Sequence, residues 1–223
     1  MIFIKNSITR KNLMAITGLF LSFFLIIHLL GNLQLLLPAE EAQLQYNSYS
    51  HLLGGNILVK LVAYVLYLCI ILHTLDAIYL SYKRKKANGV SYSYDRRGRA
   101  SSWYSRNMMA LGIIIFVFLV IHFKDFWYHY KFGELPLDAN GNKDLYTLVV
   151  LAFEQLWYVI LYIIAILALG YHLLHGVFSA HRTIGLYHPM YNRIVKVLGV
   201  VFAVTITIGY IIIPLFLYFN LQS

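Results

Sequence analysis

The sequence predicts an all-α integral membrane protein with five transmembrane helices, four of them forming a haem-binding bundle. Three observations lead there. Hydrophobic residues make up 60% of the chain and charged residues 12%, against about 45–50% and about 25% in soluble domains. Five apolar stretches each reach the roughly 20 residues that a helix needs to cross a bilayer core. Histidines recur deep inside four of those stretches, where an ionisable side chain is by default a functional one.

The stretches lie near 12–37, 58–82, 107–129, 150–179 and 194–219, and the 223 residues read as one domain. Pro38 closes the first. The second ends in Lys83-Arg84-Lys85-Lys86. The fourth follows the polar segment Leu135 to Asp144, with Pro136 and Gly141. Pro214 lies inside the fifth, where a membrane helix tolerates it as a kink. The connecting loops are expected to be short, with no soluble catalytic domain. No cleavable signal is expected, because the first apolar run is too long for a signal h-region. The single cysteine, Cys69, sits in an apolar run. That leaves no disulfide framework, cysteine cluster or C-x-x-C-H for covalent haem attachment.

The net charge of +9 does not indicate nucleic acid, because the charges are segregated by loop rather than gathered on one polar face. With the N-terminus inside, the inner segments hold Lys5, Arg10, Lys11, the basic run from Lys83 to Arg106, Arg182, Arg193 and Lys196. The outer side holds only Lys60, Lys124, Lys131 and Lys143, with most of the acids. The positive-inside rule therefore predicts a cytoplasmic N-terminus and an outer C-terminus, in a cytoplasmic membrane.

Of nine histidines, His51, His129, His181 and His188 fall in loops or at helix ends and read as solvated. His28, His73, His122, His172 and His175 sit inside the apolar runs. Helices 1 and 3 run outward, placing His28 and His122 about 22–24 Å from the inner surface at about 1.5 Å per residue. Helices 2 and 4 run inward, placing His73 and His172 about 10–14 Å from it. The histidines thus form two layers of two, each drawn from two helices. Paired imidazoles suit a bis-histidine haem, which transfers electrons and leaves no open iron site. Bundles build cofactor sites in this way, from facing helices. Gly18 and Gly112 each precede a layer histidine by ten residues, so each lies near the depth of the other layer. Two readings are open: room for a macrocycle, or small-residue helix packing. His73 with Ala77 parallels His172 with Gly176, which favours His172 over His175 as the fourth ligand. His175 would then neighbour the haem, bonding a propionate.

These residues resemble a known family, the single-subunit di-haem cytochrome b membrane anchors of succinate:quinone oxidoreductases (succinate dehydrogenase or fumarate reductase). The resemblance covers nearly the whole chain. It rests on Thr17-Gly18-Leu19-Phe20 leading to His28, His28 with Asn32, His73 followed by Tyr79, Gly112 leading to His122, and His172 with Gly176 and Phe178. It implies that His28 and His122 share the outer haem iron and His73 and His172 the inner one. It also implies a flavoprotein and an iron–sulfur subunit on the inner face, and a menaquinone-type quinone in the bilayer. Gly170 is a departure, since some members carry a glutamate there to relay protons.

The expected function is electron transport in a respiratory chain. Electrons move between the iron–sulfur partner, two non-covalent haems b and the quinone, so the chain is the quinone-reactive subunit of an enzyme rather than an enzyme alone. Arg10, Arg99 and Arg106 are candidates for propionates, although positive charge there also sets topology. Gln34, Glu40, Glu41, Lys124, Asp125 and Trp127 are outer candidates for quinone and proton handling, where aromatic belts and loop charges are also ordinary. Asp76 is expected to pair with an inner Lys or Arg. The segment from Lys83 to Arg106, with Tyr92, Tyr94 and Trp103 as anchors, is the expected docking face. The alternatives are a cytochrome b subunit of a hydrogenase or formate dehydrogenase, and a histidine-based proton or metal transporter. The latter usually shows repeats and broken helices.

Overall fold

The computed structural model describes residues 7–87, 102–185 and 188–222. The expectations placed on Lys5, Tyr92, Tyr94 and Arg99, and on residues 88–101 of the basic run, fall outside the described residues.

Among the described residues five helical spans are long and apolar enough to cross a membrane: Ile8–Leu36, Ile57–Arg84, Met108–Phe132, Leu156–Thr183 and Met190–Gln222. The first comprises helix α1 (Ser7–Asn32) and a 3-10 turn, Leu33–Leu36, that stops before Pro38. Pro38 has no N–H to extend the turn. Its carbonyl instead accepts the Ala42 N–H and starts helix α2 (Ala39–Gly55). Glu40 and Glu41 occupy the first turn of α2, where negative charge is favourable against the helix dipole.

That helix corrects the expectation of a short first outer loop. Its apolar residues are too few to span a bilayer, but Ala42, Tyr46 and Asn47 are buried. Tertiary packing therefore holds it. Gly31 of α1 is where it approaches, since a Cβ there would lie 2.6 Å from Cε1 of Tyr49.

Helix α3 (Ile57–Ala87) continues past the expected end at 82. After the single turn Trp103–Arg106, helix α4 (Met108–His122) runs into a π-helical stretch, Phe123–Tyr128, and a last turn, His129–Phe132.

The expected fourth span, 150–179, is two helices. Helix α5 (Leu145–Phe153) ends at Glu154 and Gln155, where Gln155 is extended (φ −89°, ψ 112°), and helix α6 (Leu156–Thr183) starts anew. Two adjacent polar residues interrupt the apolar run there, and the break lets Val149 and Phe153 turn into the core. Helix α7 (Pro189–Gln222) contains Pro214, which is almost fully buried.

The helices that carry the deep histidines form a four-sided bundle. Helix α1 packs on α3 and α6, and α4 packs on α6 and α3. The diagonal pairs, α1 with α4 and α3 with α6, share at most marginal backbone contact. Helix α7 lies outside this square, along α6 and against α1. Two close approaches explain its seat. Gly209 sits under Leu29, whose Cδ2 would lie 2.7 Å from an added Cβ, and Gly170 sits under Thr207.

Helix α6 is the central element, with 44% of its most apolar 18-residue stretch buried against 6% for α3. The core gathers on it: Tyr158, Val159, Tyr162, Ile166 and Leu173 pack with Leu29, Phe153, Ile206 and Ile213. The outward faces are apolar, with Leu58, Val62, Ile71 and Ile164 among the exposed residues. A soluble monomer rarely exposes so continuous an apolar surface, and acyl chains are its natural solvent.

Candidate functional site: two histidine pairs inside the bundle

Each diagonal of the square is bridged by two imidazoles. His28 on α1 meets His122 on α4, with ring centroids 5.8 Å apart and planes at 84°. His73 on α3 meets His172 on α6, with centroids 6.2 Å apart and planes at 59°. The parent helices barely touch, so these side chains reach across the interior.

The two pairs lie at different heights. Gly18 is level with His73, because a Cβ on it would lie 3.2 Å from Cε1 of that ring. His28 is ten residues further along the same helix, a rise of about 15 Å. Gly18 thus sits against a histidine of the other pair. Among the described residues nothing lies within 4 Å of a Cβ added to Gly112, so no described neighbour packs against that point.

The outer nitrogens of three rings have partners. Nδ1 of His73 lies 3.2 Å from Oγ1 of Thr17, whose hydroxyl donates to the Leu13 carbonyl at 2.8 Å. That hydroxyl is therefore left to accept from the ring N–H, which leaves Nε2 of His73 with a free lone pair. Nδ1 of His122 lies 3.1 Å from the Tyr162 hydroxyl. Nδ1 of His28 is 3.5 Å from the amide nitrogen of Asn32, which donates to the His28 carbonyl at 2.7 Å. Nδ1 of His172 is buried without a partner among the described residues. Aromatic rings wall the His28–His122 pair: Phe24 stacks on His28 at 5.2 Å and Phe118 on His122 at 5.6 Å.

This spacing fits one metal between each pair. An imidazole nitrogen bonds a metal at about 2.0 Å and lies about 1.1 Å from its own ring centre, so opposed imidazoles have centres about 6.2 Å apart. The observed 5.8 and 6.2 Å match that span. Among the described residues no three His, Cys, Asp or Glu side chains converge on one point. A metal between either pair would therefore have two protein ligands, one imidazole from each helix.

The remaining candidates separate. His175 lies beside the Tyr104 ring, 6.4 Å between centroids. It lines a cleft of about 400 Å³ with Lys11, Asn12, Ser179 and Arg182, whereas His172 faces His73. Arg10 is committed elsewhere, bonding Asp76 at 2.6 Å and covering the Tyr79 ring at 4.0 Å. This is the basic partner expected for Asp76. Arg106 ends the turn whose Trp103 packs on Tyr171 of α6, and Arg99 lies outside the described residues.

Among the outer candidates, Gln34 belongs to the 3-10 turn and its carbonyl accepts from Leu37. Glu40 and Glu41 are exposed, and Glu41 accepts from Gln45. Trp127 packs on Tyr67 at 5.9 Å. Lys124 is exposed and pairs with Asp125 at 3.4 Å. Asp125 connects to a histidine pair: it accepts from Tyr158 at 3.0 Å, Tyr158 meets Tyr162 at 3.3 Å, and Tyr162 meets His122.

Sequence reasoning missed Tyr158 and Tyr162. A signal was present, because Tyr162 precedes His172 by ten residues, the spacing that relates Gly18 to His28. No protein family, curated protein or solved structure matches the chain. The fold and site therefore define the class: a helical protein with five potential membrane spans and two crossed histidine pairs in its interior.

Proposed function

We propose that this chain is the membrane-anchor cytochrome b subunit of a succinate:quinone oxidoreductase. It carries electrons between an iron–sulfur subunit on the cytoplasmic side and a quinone, menaquinone by preference, in the bilayer. The observation that supports this best is the pair of imidazole bridges across the two diagonals, at two heights, each with the span of a bis-histidine metal. His28 and His122 would hold one haem b and His73 and His172 the other. Bound haems supply reversible one-electron exchange at their iron.

The chain's own residues do the rest. Thr17 and Tyr162 turn Nδ1 of their histidines outward, which leaves Nε2 to face the metal. Gly18 and Gly112 keep side chains away from the ring faces. Lys11, His175, Ser179 and Arg182 supply positive and hydrogen-bonding groups suited to propionates at the inner end. The basic residues there orient the N-terminus to the cytoplasm. A flavoprotein and the iron–sulfur subunit would dock on the same face, because saturated haems offer no site for a soluble substrate.

The test is purification in mild detergent at low salt, with pyridine haemochrome analysis and mass analysis of co-purifying chains. Two non-covalent haems b per chain, with flavin and iron–sulfur subunits retained, are expected. A colourless protein would refute the haem reading. Haem without those partners would refute the succinate:quinone assignment and leave a self-contained electron carrier.

A further inference from the structure

The hydrogen-bonded chain from Asp125 to His122 has a direction. A carboxylate only accepts hydrogen bonds, so the Tyr158 hydroxyl must spend its one proton on Asp125. The oxygen of Tyr158 is then free only to accept, and the Tyr162 hydroxyl supplies that proton across 3.3 Å. Tyr162 in turn can only accept at its other contact, so the ring N–H of His122 points to it across 3.1 Å. One carboxylate thereby sets every proton in the series and places the lone pair of His122 on Nε2.

The series is asymmetric and well built. Tyr158 and Tyr162 are buried, at 4% and 7% exposure, whereas the Asp125 side chain is 26% exposed and pairs with the exposed Lys124. Asp125 sits in the π-helical stretch Phe123–Tyr128, the kind of local irregularity that gathers at functional sites. Among the described residues no carboxylate is hydrogen-bonded through to the other three rings. Asn32 places a neutral amide on His28, donating to its carbonyl and lying 3.5 Å from its Nδ1, and Thr17 places a neutral hydroxyl on His73.

We infer that Asp125 is a positioning residue for His122, acting through Tyr158 and Tyr162. It fixes the Nδ1–H tautomer, strengthens electron donation from Nε2, and so lowers the potential of the outer haem relative to the inner one. This rests on the proposed haem ligation. A carboxylate bonded through to a ligating imidazole makes that imidazole a stronger donor, and stronger donation favours the oxidised metal.

The test is a potentiometric titration of the purified, haem-loaded protein, with the outer component assigned as the one lost in His122→Ala. In Asp125→Asn, and again in Tyr162→Phe, the ferric-to-ferrous ratio of the outer haem at a fixed potential should fall on the order of tenfold. That is an upward shift of about 59 mV for a one-electron couple, with the inner haem unmoved. Asp125→Glu should restore the original value. Two intact haems with an unchanged outer potential in both variants would overturn this inference alone. Equal shifts of both haems would also overturn it, by revealing general loosening. Absence of haem from the unmodified protein would overturn the proposed function and this inference with it.

Discussion

Replacing the deep histidines in pairs tests the proposed site most directly, because the structure dictates which combinations must behave as one. His28 and His122 meet at 5.8 Å, and His73 and His172 at 6.2 Å. The two pairs are about 15 Å apart along the bundle. Sites separated by more than about 7–10 Å, with no shared partner, are additive within about 0.3–0.5 kcal/mol, whereas residues sharing one partner are not. His28→Ala should therefore take the haem content from two per chain to one, and His122→Ala should remove the same spectral component. The His28→Ala, His122→Ala double variant should lose nothing further. His28→Ala with His73→Ala should lose both haems. Reduced-minus-oxidised spectra and haemochrome counts on detergent-purified variants read these numbers directly. If His28→Ala and His73→Ala removed the same component, or if the double variant within one pair lost both, the pairing across the diagonals would be wrong. His175→Ala belongs in the same series and should keep both haems. Loss of the inner haem in that variant would transfer the ligand role to His175.

Four further outcomes are expected. Asp144 caps α5 and accepts from Asn47, Thr147 and Gln43; Asp144→Ala, which removes the cap and takes the Asp144 acceptor from the buried Asn47 NH2, should cost about 2–4 kcal/mol, read by thermal unfolding in detergent, and a loss below about 1 kcal/mol would refute it. Burial pushes the Asp144 carboxyl up, but the hydrogen bonds from Asn47, Thr147 and Gln43 outweigh that and hold it below the usual range, so its stabilisation should be complete above the unfolded value of about 3.9 and fade as the pH falls through the lower folded value, a dependence that Asp144→Asn should abolish. Gly170→Ala would press a Cβ against Thr207 and should cost about 1–3 kcal/mol as an overpacked contact, with Thr207→Ala restoring stability; an unaltered midpoint in Gly170→Ala would show that α6 and α7 have slack. Arg10→Met strands the buried Asp76 and should destabilise by about 3 kcal/mol, whereas Arg10→Met with Asp76→Leu should recover most of it, and equal losses in the two would show that the ion pair is not what matters.

Much of the architecture is legible in the chain itself, and for a simple reason. A bilayer fixes the length of a span, and a helix rises a constant amount per residue, so spacing along the sequence converts into height without any tertiary information. Five apolar stretches, the two histidine layers, and the level of Gly18 against His73 all follow from that conversion. Boundaries follow less well. The break at Glu154 and Gln155 and the helix Ala39–Gly55 depend on burial of Phe153, Tyr46 and Asn47, and no local pattern announces which side chains will find a core.

Lateral arrangement was decided only by the tertiary structure. Height does not say which helices are neighbours and which are diagonal, and the order α1, α3, α4, α6 around the square is what turns two layers into two bridges. Three residues along a helix subtend about 300°, so His172 and His175 share much of one face in sequence. Packing turns the first toward His73 and the second toward the cleft beside Lys11 and Arg182. The series Asp125, Tyr158, Tyr162, His122 joins two helices through side-chain hydroxyls, and hydroxyl contacts leave no period in a sequence. Depth is a one-dimensional property that the chain carries by itself, whereas the facing of side chains across a bundle exists only once the helices have packed.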